Sequence, residues 1–137
     1  MNSRKTNRIG IAVVESQRQF LIGIRDADVA LAGFHEFPGG KCQVEESADA
    51  CAVRECREET GLEVVALKEL LYQEHSYEHA DVKLHFWLCQ PVPVSEDFTD
   101  QNLKGFQWIP VERLPELRFP EANGSLIELL VSTYVAS

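Results

Sequence analysis

The sequence predicts an α+β fold, an α/β/α sandwich in which helices cover a mixed sheet, from three observations. Apolar, β-branched runs at 8–14 (RIGIAVV) and 20–24 (FLIGI), separated by the polar ESQRQ, predict two strands paired as a hairpin. The segment 82–89 (VKLHFWLC) predicts a further strand with at least one buried face. Between them, 47–61 has the end signals of a helix, and strands and helices do not alternate as regular βαβ units.

The helix at 47–61 is defined by its ends and by its apolar side. Ser47 suits the N-cap, Asp49 suits the positive first turn, and Gly61 suits a left-handed C-cap. The apolar residues that point away from its acidic side, and that we expect to pack on the sheet, are Ala52, Val53 and Cys56.

The remaining elements follow this helix. The run LEVVALKELLYQE at 62–74 predicts one or two strands, and the polar, proline-containing stretch 90–104 predicts a long loop. Residues 106–109 predict a short strand and 110–114 a short helical turn. Apolar residues at helical spacing within 119–135 predict a second helix at the end of the chain.

Length and charge limit the function classes. A chain of 137 residues suits one domain, residues 1–137, and its 45% hydrophobic and 26% charged composition is that of an ordinary globular protein. The net charge of -9 and the lack of a Lys/Arg cluster argue against a nucleic-acid polymer as partner. No apolar run approaches the length of a membrane span, so no membrane partner is expected. The sequence leaves open whether the protein is a monomer or a homodimer.

The N-terminus and the cysteines bear on the compartment. MNSRKTNRIG is basic and polar and lacks the apolar core of a signal peptide, so we expect a cytoplasmic location. The cysteines have no C-x-x-C pairing and no neighbouring histidine at zinc spacing, so a structural metal site is not expected. We expect reduced, mostly semi-buried thiols at Cys42, Cys51, Cys56 and Cys89.

The acidic side of the helix carries the candidate chemistry. At about 100° per residue, Glu55, Glu58 and Glu59 fall within roughly a quarter turn of one another. Like charges at these spacings cost a helix about 0.2–0.5 kcal/mol per pair, so we expect a cation on this face. Several oxygen ligands on one rigid helix suit Mg²⁺, which binds alongside substrate phosphates. A protein this acidic can approach a polyphosphate only with such a metal between them.

Two neighbouring features admit two interpretations each. The segment Pro38-Gly39-Gly40 ends regular structure, either as a simple tight turn or to let the backbone approach a ligand closely. Arg54 either organises the carboxylates through hydrogen bonds or forms an ordinary i,i+4 surface pair with Glu58.

The spacing of these residues resembles the box of the Nudix family, G-x5-E-x7-R-E-U-x-E-E-x-G-U, in which U is a bulky aliphatic residue. Gly40, Glu46 and the run 54–62 (RECREETGL) match its fixed positions, except that Cys56 stands at the first U. The resemblance implies the Nudix fold, an α/β/α sandwich around a mixed β-sheet, over nearly the whole chain. It also implies hydrolysis of a nucleoside diphosphate linked to another group, by attack of metal-activated water on a phosphorus.

The same resemblance implies roles for the residues of the acidic face. Glu58 and Glu59 would be the principal metal ligands, with Glu55 a supporting ligand or base and the Gly39 carbonyl a further ligand. Arg54 would orient the carboxylates, so the catalytic set comprises Arg54, Glu55, Glu58 and Glu59. The implied cofactor is Mg²⁺, with Mn²⁺ as an alternative.

Other positions of the box would support it. Glu46 would brace the loop, and Gly40 and Gly61 would complete the structural frame. The family also uses an acidic residue from a later loop; Asn102 stands where an acid is expected and Asp100 is nearby, so this residue stays unassigned.

Within the family, the chain resembles the MutT group of small nucleoside triphosphate pyrophosphohydrolases, which includes enzymes for oxidised dGTP. The segments that carry this resemblance are 35–41 (HEFPGGK), 84–89 (LHFWLC) and 119–123 (FPEAN). FPEAN is similar to the FPPAN segment whose Asn reads the purine base.

The MutT resemblance implies three substrate-binding residues. Asn123 would hydrogen-bond the base edge, and an amide suits this role because one end donates and the other accepts; alternatively, Asn123 is only a turn or helix start. Tyr77 stands where the group has an aromatic residue that contacts the base, and Arg25 where it has a basic residue close to the substrate.

The resulting expectation is an Mg²⁺-dependent pyrophosphohydrolase that converts a nucleoside triphosphate to the monophosphate and pyrophosphate. The leading substrate by analogy is 8-oxo-dGTP, which implies nucleotide pool sanitation and DNA repair. A second hypothesis changes the substrate to a pyrimidine triphosphate, a nucleotide sugar or ADP-ribose. A third is a nucleotide sensor without turnover, against which the complete set of box residues argues.

Overall fold

The computed structural model describes residues 5–25, 33–92 and 103–135, and within these ranges a mixed sheet is flanked by two α-helices. The strands are β1 (Lys5–Ser16), β2 (Gln19–Ile24), β3 (His35–Glu36), β4 (Gly39–Lys41), β5 (Val64–Ser76), β6 (Ala80–Pro91) and β7 (Gln107–Pro110). The helices are α1 (Ala48–Thr60) and α2 (Gly124–Tyr134), with 3₁₀ segments at Val111–Glu116 and Glu121–Asn123.

Strand β1 is the centre of the sheet, whose main order is β3-β2-β1-β6-β5. β1 runs parallel to β6 and pairs antiparallel with β2 at its end, where Glu15 lies opposite Phe20. This confirms the predicted hairpin. β4 pairs antiparallel with β1 and β7 with β2, so the sheet contains both strand directions, as a mixed sheet should.

Two hydrophobic cores lie on opposite faces of this sheet. On one face α1 contributes Ala52 and Cys56, which pack with Ala12 and Val14 of β1. On the other face α2 packs on the alternate residues of the same strands through a set that includes Leu126, Leu130, Val13, Phe20 and Phe86. The predicted α/β/α sandwich is therefore confirmed, because side chains of one strand alternate between the two helices.

Helix α1 begins and ends where the sequence predicts. Ser47 precedes it in extended conformation without a side-chain capping bond, and Gly61 follows with φ of 81° in the left-handed region that favours glycine. The buried Thr60 hydroxyl donates to the Cys56 carbonyl at 2.7 Å and accepts from the Leu62 N–H at 3.0 Å. These bonds satisfy backbone groups that the end of the helix leaves without partners.

The run 62–74 agrees with the expected one or two strands, since residues 64–74 lie in one strand, β5, whose pairing with β6 is interrupted by two register shifts. Two other local expectations need correction. The second α-helix starts at Gly124, well after residue 119, because Pro120 is extended (ψ 150°) and a 3₁₀ turn comes first. Only Cys42 is semi-buried; the other three cysteines are buried, and all four are free thiols.

The loop predicted at 90–104 falls mostly on residues 93–102, which lie outside the described part of the chain. Across the described ranges, neither α-helix is long and apolar enough to cross a bilayer.

Candidate active site

The segment Gly39–Lys41 is a strand, which corrects the expectation that Pro38-Gly39-Gly40 ends regular structure. Gly40 lies opposite Gly10 of β1, and this pairing fixes β4 beside the acidic helix α1. A Cβ on Gly40 would lie 2.4 Å from Cδ of Glu55 and 2.6 Å from both of its carboxylate oxygens. The absence of a side chain therefore lets the Glu55 carboxylate lie against the strand. Close approach of this backbone to a ligand stays a prediction.

Arg54 holds three carboxylates at once. Its Nε donates to Glu46 Oε2 at 2.7 Å and its Nη2 to Glu46 Oε1 at 3.0 Å, a bidentate pair. Its Nη1 donates to Glu55 at 3.2 Å and to Glu58 at 3.1 Å. Both interpretations of Arg54 thus hold geometrically, because the i,i+4 contact with Glu58 is one part of a network that orders the site.

Glu46 fixes the loop between β4 and α1. Its carboxylate also accepts from the Gln43 N–H at 2.9 Å, and its backbone carbonyl accepts from Arg8 Nη2 at 2.7 Å. The hydrogen bonds from Arg54, and then that from Gln43, lower the pKa of Glu46 to about 2. An ionised Glu46 thus joins the loop to α1 through Arg54, and its role as a brace of the box stays a prediction.

Glu59 is in the opposite electrostatic situation. Burial raises its pKa to about 8, and the adjacent Glu55 carboxylate adds to the rise, followed by the charge of Glu36. The backbone N–H of Gly39 acts in the other direction by donating to Glu59. A half-buried carboxylate beside a second one either takes up a proton or needs a nearby cation to stay ionised.

These donors fit a hard divalent cation. Two carboxylates from one helix, Glu55 and Glu59, lie with the backbone of Gly39, and Mg²⁺ is commonly bound by one or two carboxylates plus substrate phosphates. Among the described residues, no three Asp, Glu, His or Cys side chains already converge as a metal cage. Glu58, whose side chain is 55% exposed, is turned toward Arg54 instead. Its role as a ligand stays a prediction.

The three predicted substrate-binding residues line one cavity of about 300 Å³ beside these carboxylates. Arg25, Tyr77 and Asn123 come from distant parts of the chain and meet there over apolar walls. The remaining lining residues are Ile9, Ile11, Glu36, Phe37, Gly39, Leu84, Pro120 and Ala122. A cavity with apolar walls and a few polar groups is typical of a small-molecule site.

Asn123 fits both interpretations that the sequence left open. It immediately precedes α2 but makes no side-chain capping bond, so its amide is not used to start the helix. The amide nitrogen donates to the Pro120 carbonyl at 3.4 Å, and the residue lines the cavity.

A second cleft of about 370 Å³ lies next to the first and shares Arg25, Glu36 and Gly39 with it. Glu59 and Lys104 line this cleft. The two spaces together provide an apolar part beside a charged part.

Sequence reasoning missed two of these residues. Glu36 forms an ion pair with Arg25 at 3.3 Å and lines both clefts; Lys104 Nζ donates to the Glu58 carbonyl at 3.2 Å. The segment 35–41 (HEFPGGK) contains Glu36 but indicates no role for it, and no sequence motif points to Lys104. Asn102, which stands where an acid is expected, and the nearby Asp100 both lie outside the described residues, so the later acid stays unassigned.

Comparison with known proteins gives the family of this chain. The profile of the NUDIX domain matches residues 10–129. The chain is 30% identical to an 8-oxo-dGTP diphosphatase of Escherichia coli over 92% of this chain and 97% of that protein. It is 33% identical to a CTP pyrophosphohydrolase of the same organism over 56% of each chain. The solution structure of the E. coli ORF135 protein superposes with a TM-score of 0.77, 26% identity and coverage of 99% and 96%. The box, the sandwich and these likenesses agree: the chain belongs to the Nudix hydrolase family, in its MutT-like group.

Proposed function

We propose that the protein is an Mg²⁺-dependent nucleoside triphosphate pyrophosphohydrolase, with 8-oxo-dGTP as its leading substrate. Nudix hydrolases generally use a divalent metal and act on small nucleotides. The observation that carries the proposal is the half-buried carboxylate pair Glu55 and Glu59, placed against Gly40 and Gly39 where an apolar cavity meets a charged cleft. The reaction adds water across a phosphoanhydride bond and yields a nucleoside monophosphate and pyrophosphate.

The chain's own residues position the charged part of the substrate. Arg54 holds Glu55 and Glu58 in place, and Gly40 leaves the space that Glu55 occupies. Glu55, Glu58, Glu59 and the Gly39 carbonyl would hold the metal. When bound, the metal neutralises phosphate charge and lowers the pKa of a coordinated water.

The cationic side chains at the cleft would contact the phosphates directly. Arg25 and Lys104 line the charged cleft, so both can neutralise oxygens that the metal does not reach. Glu55, held by Arg54 at 3.2 Å, is the candidate base for the attacking water. In this arrangement the acidic helix α1 would lie at the reacting phosphorus, and the nucleoside would occupy the apolar cavity.

The nucleoside would lie in the apolar cavity. The Asn123 amide can donate and accept at a base edge after leaving its long 3.4 Å bond to the Pro120 carbonyl. Tyr77, whose exposed fraction is 47%, lies at the cavity and can stack on the base. We propose Asn123 as the base reader and Tyr77 and Arg25 as further substrate contacts.

A second candidate keeps the chemistry and takes a cytidine triphosphate. It is favoured by the likeness to a CTP pyrophosphohydrolase, which is 33% identical over about half of the chain. Nucleotide sugars and ADP-ribose are further substrates of the same reaction type. A sensor without turnover would not need Arg54, Glu55, Glu58 and Glu59 all to be present, so it is the weakest of the hypotheses.

A panel assay for pyrophosphate release separates these hypotheses. We expect Mg²⁺-dependent turnover of 8-oxo-dGTP to exceed that of dGTP, CTP, dCTP, UDP-glucose and ADP-ribose in kcat/KM. The best substrate being CTP or dCTP would select the second candidate. An absence of turnover of every compound, with and without Mg²⁺ or Mn²⁺, would refute the enzyme proposal.

Matched glutamine variants test the assignment of the carboxylates. Glu58→Gln and Glu59→Gln should each lower kcat at least about 100-fold, because each removes a proposed metal ligand. Glu63→Gln is the control, since its side chain is 59% exposed and its ion pair among the described residues is a 3.9 Å contact with Arg57. Full activity of Glu58→Gln or Glu59→Gln would contradict the metal assignment, and loss in Glu63→Gln would show that the effect is not specific to the site.

Asn123→Ala tests base recognition separately. We expect the preference for 8-oxo-dGTP over dGTP to fall more than kcat on the better substrate. An unchanged preference would return Asn123 to a purely structural role at the start of α2.

We further propose that residues 1–137 act as a single Nudix domain, as a monomer or homodimer, in the cytoplasm. The partner is a nucleotide and neither a nucleic-acid polymer nor a membrane, in keeping with the net charge of -9. Removal of 8-oxo-dGTP would keep the oxidised base out of DNA, a contribution to nucleotide pool sanitation and DNA repair.

A further inference from the structure

Cys42 and Cys51 face each other where β4 meets α1. Gly40 and Cys42 are two residues apart in an extended segment, so they face the same side of it. Gly40 faces Glu55, since a Cβ on Gly40 would meet that carboxylate. Cys51 lies one helical turn before Glu55, on the same side of α1. The distance along the strand from Gly40 to Cys42 is about 6.6 Å for two residues. It matches the distance along the helix from Glu55 to Cys51, which is about 6 Å for four residues.

Hydrogen bonds hold both cysteines in this arrangement. The Cys42 N–H donates to the Arg8 carbonyl at 2.8 Å, so the pairing with β1 continues past the end of β4. The Cys51 thiol donates to the Gly40 carbonyl at 3.3 Å. A Cβ on Gly10 would come within 2.8 Å of Cys51 Sγ, so glycine at this position makes room for the thiol. Burial raises the pKa of Cys51 to about 12, and direct interaction with the Cys42 thiol contributes.

We propose that Cys42 and Cys51 form a modification site, which hydroperoxides oxidise to an intramolecular disulfide. Cys42 is semi-buried and Cys51 is buried, so the oxidant reaches Cys42 first. The Cys42 thiolate attacks one peroxide oxygen, the O–O bond breaks, and the other oxygen leaves as water or an alcohol after taking a proton. Cys42 then carries a sulfenic acid.

The second step consumes that sulfenic acid. The Cys51 sulfur attacks the Cys42 sulfur, the S–O bond breaks, and the hydroxyl leaves as water with the Cys51 proton. Two thiols have then been oxidised to one disulfide and one hydroperoxide has been reduced. Since Cys51 lies over the paired Gly10 and Gly40, and Cys42 follows Gly40 on the same face of the strand, the two sulfurs can meet without movement of either element across the sheet.

The other two cysteines serve as internal controls. Cys56 and Cys89 are both buried in the core between α1 and the sheet, so neither offers an oxidant a first point of attack. Oxidation therefore begins at the semi-buried Cys42 and is completed by its neighbour Cys51.

The disulfide would join the two ends of the segment 43–50, which contains Glu46 and the start of α1. Closing a loop restricts the unfolded chain, and this stabilises the folded state. The cross-link would lie one helical turn from the contact between Gly40 and Glu55. We therefore expect the oxidised protein to unfold at a higher temperature than the reduced protein.

The test uses hydrogen peroxide on the full chain, followed by alkylation under denaturing conditions and mass spectrometry. We expect two alkylated thiols instead of four, a mass lower by two hydrogens before alkylation, and a proteolytic fragment joining Cys42 to Cys51. The midpoint of thermal unfolding should rise by about 4 °C or more and return after treatment with dithiothreitol. None of these measurements depends on catalytic activity.

Variants make the assignment specific. Cys42→Ser, at a semi-buried position that tolerates a hydroxyl, should abolish the cross-link, and Cys89→Ala should leave it unchanged. The proposal is overturned if the wild type keeps four alkylated thiols, if oxidation ends at a sulfinic acid on Cys42, or if Cys42→Ser still loses two hydrogens.

Discussion

Replacing Gly40 with alanine tests whether the close approach of β4 positions the Glu55 carboxylate. The new Cβ would lie 2.4 Å from Cδ and 2.6 Å from both carboxylate oxygens of Glu55. Ordinary contacts of this kind are about 3.5 Å, so the carboxylate must move by about 1 Å. A displacement of about 1 Å at a reacting centre costs on the order of 100-fold in rate. We expect kcat/KM for pyrophosphate release to fall by about that factor.

The stability of the same variant should change little. The group that must move is the end of a flexible side chain, and a distorted rotamer costs about 0.5–1.5 kcal/mol. Gly10→Ala is the contrasting variant, because its Cβ would lie 2.7 Å from the backbone carbonyl oxygen of Ala48, which cannot rotate away. Thermal unfolding should therefore distinguish them, with a clear loss only for Gly10→Ala. Activity of Gly40→Ala within about threefold of the wild type would refute the reasoning, since the displacement would then have no catalytic consequence.

Four further predictions concern stability. Glu46→Gln should lower the free energy of unfolding at neutral pH by about 1–3 kcal/mol, since it weakens charge-assisted bonds to Arg54. Because the folded-state pKa of Glu46 is lowered to about 2 from an ordinary 4.5, this contribution is complete above pH 4.5. The difference between wild type and variant in denaturant titrations should shrink as the pH falls from 4.5 toward 2, and a constant difference would contradict the ionic assignment. Thr60→Val should lower the free energy of unfolding by about 1–3 kcal/mol, because the Leu62 N–H loses its acceptor. An unchanged free energy of unfolding would show that this hydrogen bond does not stabilise the fold. Gly124→Ala should stabilise α2 by about 0.4–1 kcal/mol, since φ of -57° is helical and, apart from the chain neighbours and the helix's own backbone, no described atom lies within 4 Å of the new Cβ. Glu59→Gln should raise the unfolding midpoint without metal and reduce the further rise on adding Mg²⁺; an unchanged Mg²⁺ effect would exclude Glu59 as a ligand.

The parts of the fold that the sequence predicts are those with local signals. Helix α1 is framed by Ser47 and by Gly61, whose φ of 81° is required at the C-cap. The hairpin of β1 and β2 follows from two apolar runs with a short polar connection. Such elements are determined by neighbours in the chain, so one sequence is sufficient to place them.

Long-range pairing is what the sequence does not reveal. Gly39 and Gly40 have low strand propensity, yet they form β4 because β1 provides hydrogen-bonding partners and no side chain obstructs the pairing. The parallel contact of β1 with β6 likewise joins residues that are far apart in the chain. Glu36 and Lys104 reach the candidate site only through such contacts, which explains why neither was assigned a role.

The acidic face of α1 is stabilised in two different ways, and this division explains why one helix can carry so many carboxylates. Repulsion between like charges at i,i+3 and i,i+4 costs about 0.2–0.5 kcal/mol per pair, whereas each hydrogen bond between charged groups contributes about 1.5–3 kcal/mol. The bonds from Arg54 to Glu46, Glu55 and Glu58 therefore outweigh the repulsion among these residues. Glu59 has no share in that compensation within the described contacts of Arg54, and its pKa is raised to about 8. Arg54 thus stabilises most of the acidic face in the folded protein. A further positive charge is needed at Glu59, beside Gly39, where a metal and a phosphate would meet.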